Sequence, residues 1–330
     1  MLLGADSPVI REKRIATFQA LSGTGALRVA FEFVRKLETL VPGTPHRDVY
    51  APEPTWSNHM NTVRDAGLEY KEYRYLDHAK GAVDIEGLCQ DIERRSRRQR
   101  LVFHACAHNP SGADPTREEW ARILAIVQRK KHLPLFDSAY QGFASGSLAD
   151  DAFAVRLFAE TGMDMLTCQS YAKNAGLYGE RVGALSVISS VPDSIHAIQS
   201  QVARIIRGMY SSPPVYGARI MSRILGDPKL FAEWESELVL MSSRIKDMRT
   251  RLFQELVKLG GTPARWDRIT KQIGMFSYTG MSPAQVEYLR TEYHIYMTDD
   301  GRISMAGLND SNVGYVADAM MTAVSKLAKL

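Results

Sequence analysis

The sequence has little of the chemistry that marks several large classes of protein. Among its 330 residues the basic and acidic side chains nearly balance, 41 against 37, for a net charge of +4. A charge this small and this scattered argues against nucleic-acid binding. No apolar run approaches the roughly 20 residues of a membrane-spanning helix, and there is no internal repeat or low-complexity segment. With 45% hydrophobic residues, the chain has enough apolar material for one large domain or two.

Cysteine is also scarce. There are three, Cys89, Cys106 and Cys168. An odd and sparse set suits free thiols in a reducing compartment rather than a disulfide framework. We expect all three to be buried and inert, because free cysteine behaves mostly as a small hydrophobe.

Short apolar runs alternate with helical patterns over the first two thirds of the chain. We predict that four of these runs are buried strands, at 101–108, 133–140, 165–172 and 183–190. Between two of them, residues 116–131 form a helical pattern that Thr116 can cap, with Glu119 three residues on. This alternation indicates a mostly parallel sheet with helices on both faces, in which ligands bind at the carboxyl ends of the strands.

The last third of the chain has a different pattern. Residues 229–260 form a long amphipathic helical pattern that ends at Gly260. Short elements and a terminal helix from about Ser311 follow it. We therefore predict a large domain over residues 1–235 and a smaller α+β domain over residues 236–330.

One lysine stands in a crowded polar stretch, QSYAKNAGLYGERVG. In a low-dielectric site Lys173 can lose its proton and form a Schiff base with a carbonyl group. Most lysines, however, are solvated surface charges. The neighbours favour a site, since the Ser170 hydroxyl and the fixed cation of Arg181 can together hold a phosphate.

A second anion site is predicted at the start of another helical pattern, LSGTGALRVAFEF. Ser22, Gly23 and Thr24 stand just before the pattern. Backbone N–H groups at a helix N-terminus bind anions, and glycine permits their close approach. An ordinary Ser or Thr helix cap is the commoner explanation for such residues.

Polar side chains follow two of the predicted strands. Asp137 comes after an apolar run, where an unpaired carboxylate is costly, so it needs a cationic partner. A protonated pyridine nitrogen is one such partner, and it makes the ring an electron sink; a salt bridge or a helix cap is the alternative. Tyr140 can reach the same ligand. Asn109, held extended by the proline after it, can donate its amide to a phenolate oxygen.

Two histidines, His104 and His108, alternate along the predicted strand at 101–108. No matching acidic or cysteine ligand accompanies them, so they only weakly indicate a metal. We expect packed or hydrogen-bonded histidines, and no metal site is predicted.

Taken together, these stretches resemble the pyridoxal-phosphate enzymes of fold type I, specifically the class I aspartate aminotransferases. The likeness covers nearly the whole chain and is carried, in the family's order, by SGTGALR, PTWSNH, CAHNPSGADPT, FDSAYQGFASG, SYAKNAGLYGERVG, YSSPPVYGAR, IGMFSYTG and DGRISMAGL. HACAHNP, CQSYAKN and YMTDDGRIS look more like the mitochondrial isoenzyme than the cytosolic one. The resemblance implies an α/β fold, with a mostly parallel seven-stranded sheet flanked by helices and a smaller α+β C-terminal domain.

The resemblance also implies roles for residues around pyridoxal 5'-phosphate. Lys173 is expected to bind the cofactor covalently and to carry a proton between substrate and cofactor. Asp137 is expected to pair with the pyridine nitrogen, while Asn109 and Tyr140 hydrogen-bond the phenolate oxygen. The phosphate is expected to be held by Ser22, Gly23, Thr24, Ser170 and Arg181.

On the substrate side, the resemblance implies that Arg302 grips the α-carboxylate and that Phe276 lines the pocket. Arg207 is expected to reach into the neighbouring subunit's site for the side-chain carboxylate. Both arginine roles suit a forked cation on a dicarboxylic acid, although bare arginines are mostly surface charges. Trp56 is expected to stack near the ring and edge the substrate site; a core aromatic is the alternative.

The implied activity is ping-pong transfer of the amino group from L-aspartate to 2-oxoglutarate, in a homodimer with shared active sites. The expected location is the mitochondrial matrix, with the cytoplasm as the alternative. Two other functions stay open. One is an aminotransferase of wider range that also accepts aromatic amino acids. The other is a truncated, weakly active subunit that only binds cofactor or partners.

The sequence departs from the family pattern in a few places. Only 21 residues precede Ser22, so the resemblance implies that an N-terminal arm and part of the small domain are absent, and that Met1 falls within a helix of the large domain. The first residues match neither a signal peptide nor a basic, acid-poor transit peptide. Ser212 and Ser111 stand where the family usually has asparagine and threonine.

Overall fold

A seven-stranded sheet forms the centre of the chain. The computed structural model describes residues 1–40 and 47–327, and its strands are β1 (Ile15–Leu21), β2 (Asp48–Glu53), β3 (Glu69–Arg74), β4 (Leu76–Asp77), β5 (Ala82–Val83), β6 (Arg100–His104), β7 (Leu133–Ser138), β8 (Met165–Ser170), β9 (Val182–Ile188), β10 (Phe276–Tyr278) and β11 (Arg302–Ser304). The order in the sheet is β1-β9-β8-β7-β6-β2-β3. β9 runs antiparallel to both of its neighbours, and the other neighbouring pairs are parallel. The predicted mostly parallel seven-stranded sheet is confirmed.

Helices cover both faces of this sheet and also make up most of the last third of the chain. They are α1 (Pro8–Arg11), α2 (Ser22–Leu40), α3 (Asn58–Asp65), α4 (Ile85–Arg94), α5 (Arg117–Lys130), α6 (Leu148–Asp151), α7 (Phe153–Ala159), α8 (Ile195–Tyr210), α9 (Tyr216–Gly226), α10 (Pro228–Lys258), α11 (Pro263–Trp266), α12 (Arg268–Lys271), α13 (Pro283–Tyr293) and α14 (Val313–Leu327). No helix in the described part of the chain has both the length and the apolar composition needed to cross a membrane.

Alternation along β6 shows how the two layers of helices are separated. Leu101 and Phe103 belong to a hydrophobic core with residues of α4, α5 and α7, whereas Val102 belongs to a core with residues of α2, α3 and α8. Successive strand side chains point to opposite faces, so each buried strand needs an apolar partner on both sides. This is why the four runs predicted as strands consist mostly of consecutive apolar residues.

Local signals predicted the helix after β6 well. The Thr116 hydroxyl accepts from the backbone N–H of Glu119, and the Glu119 carboxylate accepts from the backbone N–H of Thr116 at 2.8 Å. This reciprocal cap satisfies N–H groups that the first turn of α5 leaves without a helical partner.

Two sequence predictions about the backbone are wrong. His108 does not alternate with His104 on a strand, because β6 ends at His104 and the Asp114 carboxylate accepts from the backbone N–H groups of Ala107 and His108. Those bonds bend the chain away from the sheet. Met1 is not in a helix either, since the Arg156 guanidinium donates to the carbonyl oxygens of residues 1 and 2 and so holds them in an irregular conformation.

The long helix predicted at 229–260 is α10, which Asp227 caps by accepting from the backbone N–H groups of the first turn. It ends just before Gly260, whose φ of +90° suits glycine. α10 shares a core with α13, α14 and the β10–β11 pair. The predicted domain boundary at residues 235 and 236 lies inside this continuous helix, and the division into two domains stays a prediction.

β9 and the start of α2 approach each other closely at Gly183. A Cβ atom added there would lie 2.5 Å from the carbonyl carbon of Ser22 and 2.6 Å from the carbonyl oxygen of Gln169. The backbone N–H of Ser22 donates to the carbonyl of Arg181 at 3.1 Å. The backbone at the first turn of α2 therefore lies directly against the ends of β8 and β9.

We expect Gly183→Ala to lower the free energy of unfolding by about 1–3 kcal/mol, because the added methyl group forces the backbone apart. Gly179→Ala is the matched control. A Cβ added at Gly179 meets no atom within 4 Å, so its effect is expected to stay within about 0.5 kcal/mol. Urea denaturation followed by circular dichroism measures both values. Equal stability of the two variants would contradict the close approach at Gly183.

Candidate active site

A cavity of about 190 Å³ lies at the carboxyl ends of β6, β7 and β8. Its lining contains Ser22, Gly23, Thr24, Trp56, His104, Asn109, Asp137, Ala139, Tyr140, Ser170, Ala172, Lys173, Tyr178 and Arg181. The residues that the sequence indicated for cofactor binding are all among them, although they come from five separate stretches of the chain. Arg207, Phe276 and Arg302 do not line this cavity.

One end of the cavity has hydrogen-bond donors and a cation of the kind that bind anions. The hydroxyl groups of Ser22 and Ser170 lie 2.9 Å apart at the N-terminus of α2, where the backbone N–H groups have no partner within the helix. A Cβ on Gly23 would come within 3.1 Å of the Ser170 Cβ, so glycine allows this approach. Arg181 lines the same cavity and adds a guanidinium group. Hydroxyls, N–H groups and a forked cation are the donors that suit a phosphate.

The amine of Lys173 lies beside the ring of Tyr140, with Nζ 5.0 Å from the ring centre. Burial lowers the pKa of Lys173, and the positive charge of Arg181 lowers it further, while Asp137 acts in the opposite direction. A lowered pKa increases the neutral fraction of the amine, which is the nucleophilic form. Lys173 thus has the environment that the sequence predicted for it.

Asp137 is buried and hydrogen-bonded to a histidine that the sequence analysis did not identify. Its carboxylate lies 3.1 Å from Nε2 of His59. Burial raises the pKa of Asp137, but the hydrogen bond and charge of His59, together with the charges of His104 and Lys173, bring the pKa below its usual value. Asp137 therefore stays ionised in an apolar site.

Thr55 and His104 complete the set behind Asp137. The Thr55 hydroxyl bridges Nδ1 of His59 at 2.8 Å and Nε2 of His104 at 3.1 Å. The only sequence signal for the contact between His59 and Asp137 was the motif PTWSNH. The two residues are 78 positions apart in the chain, so no local spacing pattern predicts that they meet. Trp56, in the same motif, lines the cavity with its ring in an edge contact to the His59 ring at 5.4 Å.

Arg302 and Phe276 join the site through cavity residues. A guanidinium nitrogen of Arg302 donates to the Asn109 side-chain oxygen at 2.9 Å, and the guanidinium carbon lies 4.4 Å from the centre of the Phe276 ring. The Phe276 ring makes an edge contact to Tyr140 with centres 6.2 Å apart. A cation thus stands beside the anion-binding cavity, close enough to orient a second acidic group.

Arg207 lies apart from these residues. It is exposed near the end of α8, and its guanidinium donates to the Ser211 hydroxyl. It lines a separate surface cleft with Thr17, Gln19 and Pro213. Within one chain, the structure does not bring Arg207 to the site.

The remaining sequence expectations concern thiols and metals. Cys89, Cys106 and Cys168 are free and buried, as predicted. In the two described ranges, no group of three or more histidine, cysteine, aspartate or glutamate side chains is arranged to hold a metal ion.

His108 is buried between the rings of Tyr75 and His104. Its ring is 4.0 Å from that of Tyr75 and 4.4 Å from that of His104, and its Nδ1 lies 2.7 Å from the Ser111 hydroxyl. Burial, with the positive charge of His59, lowers the pKa of His108 to about 3. The folded protein consequently holds this imidazole neutral.

Between about pH 6.5 and pH 3, a histidine of this kind is protonated in the unfolded chain but neutral in the folded protein. The free energy of unfolding therefore decreases as the pH falls through this range. We expect the stability advantage of wild type over His108→Gln to shrink by up to about 1.4 kcal/mol per pH unit in that window. Urea denaturation at several pH values measures it, with the exposed His196→Gln as control. A difference that is independent of pH would contradict a neutral buried His108.

Comparison with known proteins identifies the family of this chain. A family model described as aminotransferase class I and II matches residues 1–320. The chain is 50% identical over 327 residues to a cytoplasmic aspartate aminotransferase of Oryza sativa subsp. japonica, which covers 99% of this chain and 79% of that protein.

Two solved structures show the same fold. A mitochondrial aspartate aminotransferase from Trypanosoma brucei superposes with a TM-score of 0.93 at 41% identity, over 98% of this chain and 83% of that one. An aromatic-amino-acid aminotransferase from Burkholderia pseudomallei, covalently bound to pyridoxal phosphate, gives a TM-score of 0.93 at 40% identity, over 98% of this chain and 79% of that one. Matches of this extent show that the chain belongs to the class I and II aminotransferase family.

Proposed function

We propose that this chain is an aspartate aminotransferase that uses pyridoxal 5'-phosphate. It transfers the amino group of L-aspartate to 2-oxoglutarate and releases oxaloacetate and L-glutamate. The observation that carries the proposal is the cavity in which Lys173, with a lowered pKa, interacts with the buried carboxylate of Asp137 and with Arg181 of the anion-binding end. The names of the rice and trypanosome relatives support the same reaction.

The charges of the cavity fit this cofactor. Ser22, Gly23, Thr24, Ser170 and Arg181 would hold the phosphate. Asp137 stays ionised and would hold the proton on the pyridine nitrogen. Burial, with the nearby negative charge of Asp137, raises the pKa of Tyr140, so its hydroxyl group stays protonated and, with the Asn109 amide, can donate to the phenolate oxygen. When bound, the cofactor supplies a reactive carbonyl carbon and an electron sink.

The protein's own groups bind the substrate and move its protons. Lys173 is the nucleophile for the cofactor and, once released, the base that would take the Cα proton of the amino acid and pass it to the cofactor's reactive carbon. Arg302 binds the α-carboxylate, with Phe276 packed against its guanidinium plane and Trp56 at the edge of the substrate site. These contacts hold the scissile Cα–H bond towards the lysine amine, which lowers the entropic cost of proton transfer.

A dicarboxylic substrate needs a second cation, and we assign that role to Arg207 in a homodimer with shared sites. Arg207 is exposed and distant from its own cavity. Large apolar side chains close to it in the sequence are also exposed, namely Met209, Val215 and Tyr216. Exposed apolar side chains of this kind are typical of a protein–protein interface. Such an interface between two subunits would place Arg207 in the active site of the neighbouring subunit.

We further propose that residues 1–235 form the cofactor domain and residues 236–330 a smaller domain. The packing of α13, α14 and the β10–β11 pair on α10 supports this division. The matrix of mitochondria is the proposed location, on the likeness of the motifs to that isoenzyme, with the cytoplasm as the alternative. Relatives from both compartments match the chain, and subcellular fractionation of the native protein decides between them.

A second candidate function is an aminotransferase that also accepts aromatic amino acids. The aromatic-amino-acid enzyme of Burkholderia pseudomallei fits this chain as well as the aspartate enzyme of Trypanosoma brucei does. A kcat/KM for phenylalanine that rivals the value for aspartate would favour it. A third candidate is a weakly active subunit that holds the cofactor, and bound cofactor that does not respond to aspartate would favour that one.

We expect wild type reconstituted with pyridoxal phosphate to incorporate it covalently at Lys173, which borohydride reduction and peptide mass spectrometry detect. Lys173→Ala is expected to incorporate none and to lose about 10⁴-fold or more in transamination rate, because nucleophile and base are both removed. Lys71→Ala, at an exposed lysine of β3, is the control and keeps normal incorporation. Incorporation at another lysine would refute the proposed site.

We expect a mixture of Lys173→Ala and Arg207→Ala chains to recover about a quarter of wild-type activity. Random reassembly makes half of the dimers mixed, and each mixed dimer has one complete site, with Lys173 from one chain and Arg207 from the other. Each variant alone is expected to be nearly inactive with aspartate. Light scattering checks the mass of the dimer. No recovery on mixing, with dimers present, would show that Arg207 does not act across the interface.

A further inference from the structure

Arg249 is a buried cation in the middle of the long helix α10. Its side chain is 3% exposed, and it donates to the carbonyl oxygens of Ile269 at 2.7 Å, Gly274 at 2.8 Å and Phe276. Among the residues that the structure describes, it makes no ion pair with a carboxylate. Burial lowers the pKa of Arg249 to about 10. A buried cation without a counter-charge is costly, and an apolar side chain of similar size would often stabilise such a position better.

The three carbonyl groups belong to one segment, residues 269–276, which runs from within α12 to the first residue of β10. On its other side this segment contacts the loop that carries Asn109. The backbone N–H of Ile273 donates to the carbonyl of Gly112 at 2.7 Å. A Cβ on Gly112 would lie 2.7 Å from the Ile273 oxygen and 2.9 Å from the Phe276 oxygen. The segment therefore lies between Arg249 and the cofactor-side loop with little room to shift.

Phe276 ends this segment and contacts Arg302. Its carbonyl oxygen accepts from Arg249, and its ring lies against the Arg302 guanidinium at 4.4 Å. Pairing of β10 with β11 places Tyr278 opposite Arg302. The same guanidinium donates to Asn109. A continuous set of contacts thus runs from α10 through the backbone of residues 269–276 to Arg302.

We propose that Arg249 is a positioning residue for the carboxylate-binding site: it fixes the segment 269–276, so that Phe276 holds the Arg302 guanidinium in the plane that receives a carboxylate. Arg249 itself does not touch substrate. The inference rests on the proposed function, in which Arg302 binds the α-carboxylate of the amino acid.

The geometry requires arginine rather than any cation at this position. Three carbonyl groups from an eight-residue segment accept from two terminal nitrogens of one planar group. Lysine presents a single ammonium on a flexible stem and cannot match that fork. Arg249→Lys therefore keeps a positive charge while it releases part of the segment.

α10 also offers a matched comparison. Trp234, fifteen residues earlier on the same helix, donates its indole N–H to the carbonyl of Asn174 at 2.9 Å, and Asn174 follows Lys173. Both residues connect α10 to a backbone carbonyl near the cavity, but Trp234 contacts the lysine side and Arg249 the carboxylate side. Trp234→Phe removes the hydrogen bond and keeps an aromatic ring.

The test uses the protein reconstituted with pyridoxal phosphate, and succinate as a dicarboxylic acid that has no amino group to transfer. We expect Arg249→Lys to raise the succinate Kd, measured by calorimetry, by about 10-fold or more, since a small displacement of a binding group has effects of this size. The Kd for pyridoxal phosphate is expected to change by less than about 3-fold. Trp234→Phe is expected to leave the succinate Kd near the wild-type value.

The outcomes separate the inference from the proposed function. If Arg249→Lys lowers the melting temperature but binds succinate like wild type, Arg249 is only structural and the inference is overturned. If Arg302→Lys also binds succinate like wild type, or wild type binds none, the proposed carboxylate site itself is wrong. If Arg249→Lys does not fold, Gly112→Ala displaces the same segment from its other side. An unchanged succinate Kd in that variant overturns the inference equally.

Discussion

An ionised carboxylate at the end of a buried strand is the constraint on which the site depends. Asp137 is the second-last residue of β7, in the middle of the sheet, and it is buried. It stays charged because His59 donates to it, and His59 is in turn held by Thr55. A fixed negative charge in an apolar site attracts a protonated ring nitrogen strongly. In the proposed function, the position of the cofactor's ring is set by Asp137 together with His59 and Thr55.

The second organising element is α10, which is continuous over 31 residues. It contacts the lysine loop through Trp234 and the 269–276 segment through Arg249. The loop that carries Lys173 and the segment beside Arg302 are therefore both bonded to the same helix, although they are far apart in the chain.

Much of the fold and of the cofactor site could be predicted from the sequence, because the signals are local. The apolar runs that became β6 to β9 need partners on both faces, and the Thr116 cap is encoded within four residues. Lys173, Ser170 and Arg181 stand in one short stretch. His59 and Arg249 could not be found in this way. Their partners are 78 residues away in one case and backbone carbonyls in the other, and neither relation leaves a pattern in residue type. The irregular chain after His104 was also missed, since the two backbone N–H groups that bend it bond to Asp114.

The antiparallel direction of β9 has a consequence for the distance between the nucleophile and the anion-binding group. A parallel strand beside β8 would need a crossover of a dozen or more residues, usually with a helix. Because β9 returns directly, the chain from the end of β8 to the start of β9 is only the short loop of residues 171–181. Lys173 and Arg181 both stand on it. The chain length between Lys173 and Arg181 is therefore set within this one loop. Surface loops elsewhere tolerate inserted residues well. Residues inserted into this loop would change the distance between Lys173 and Arg181.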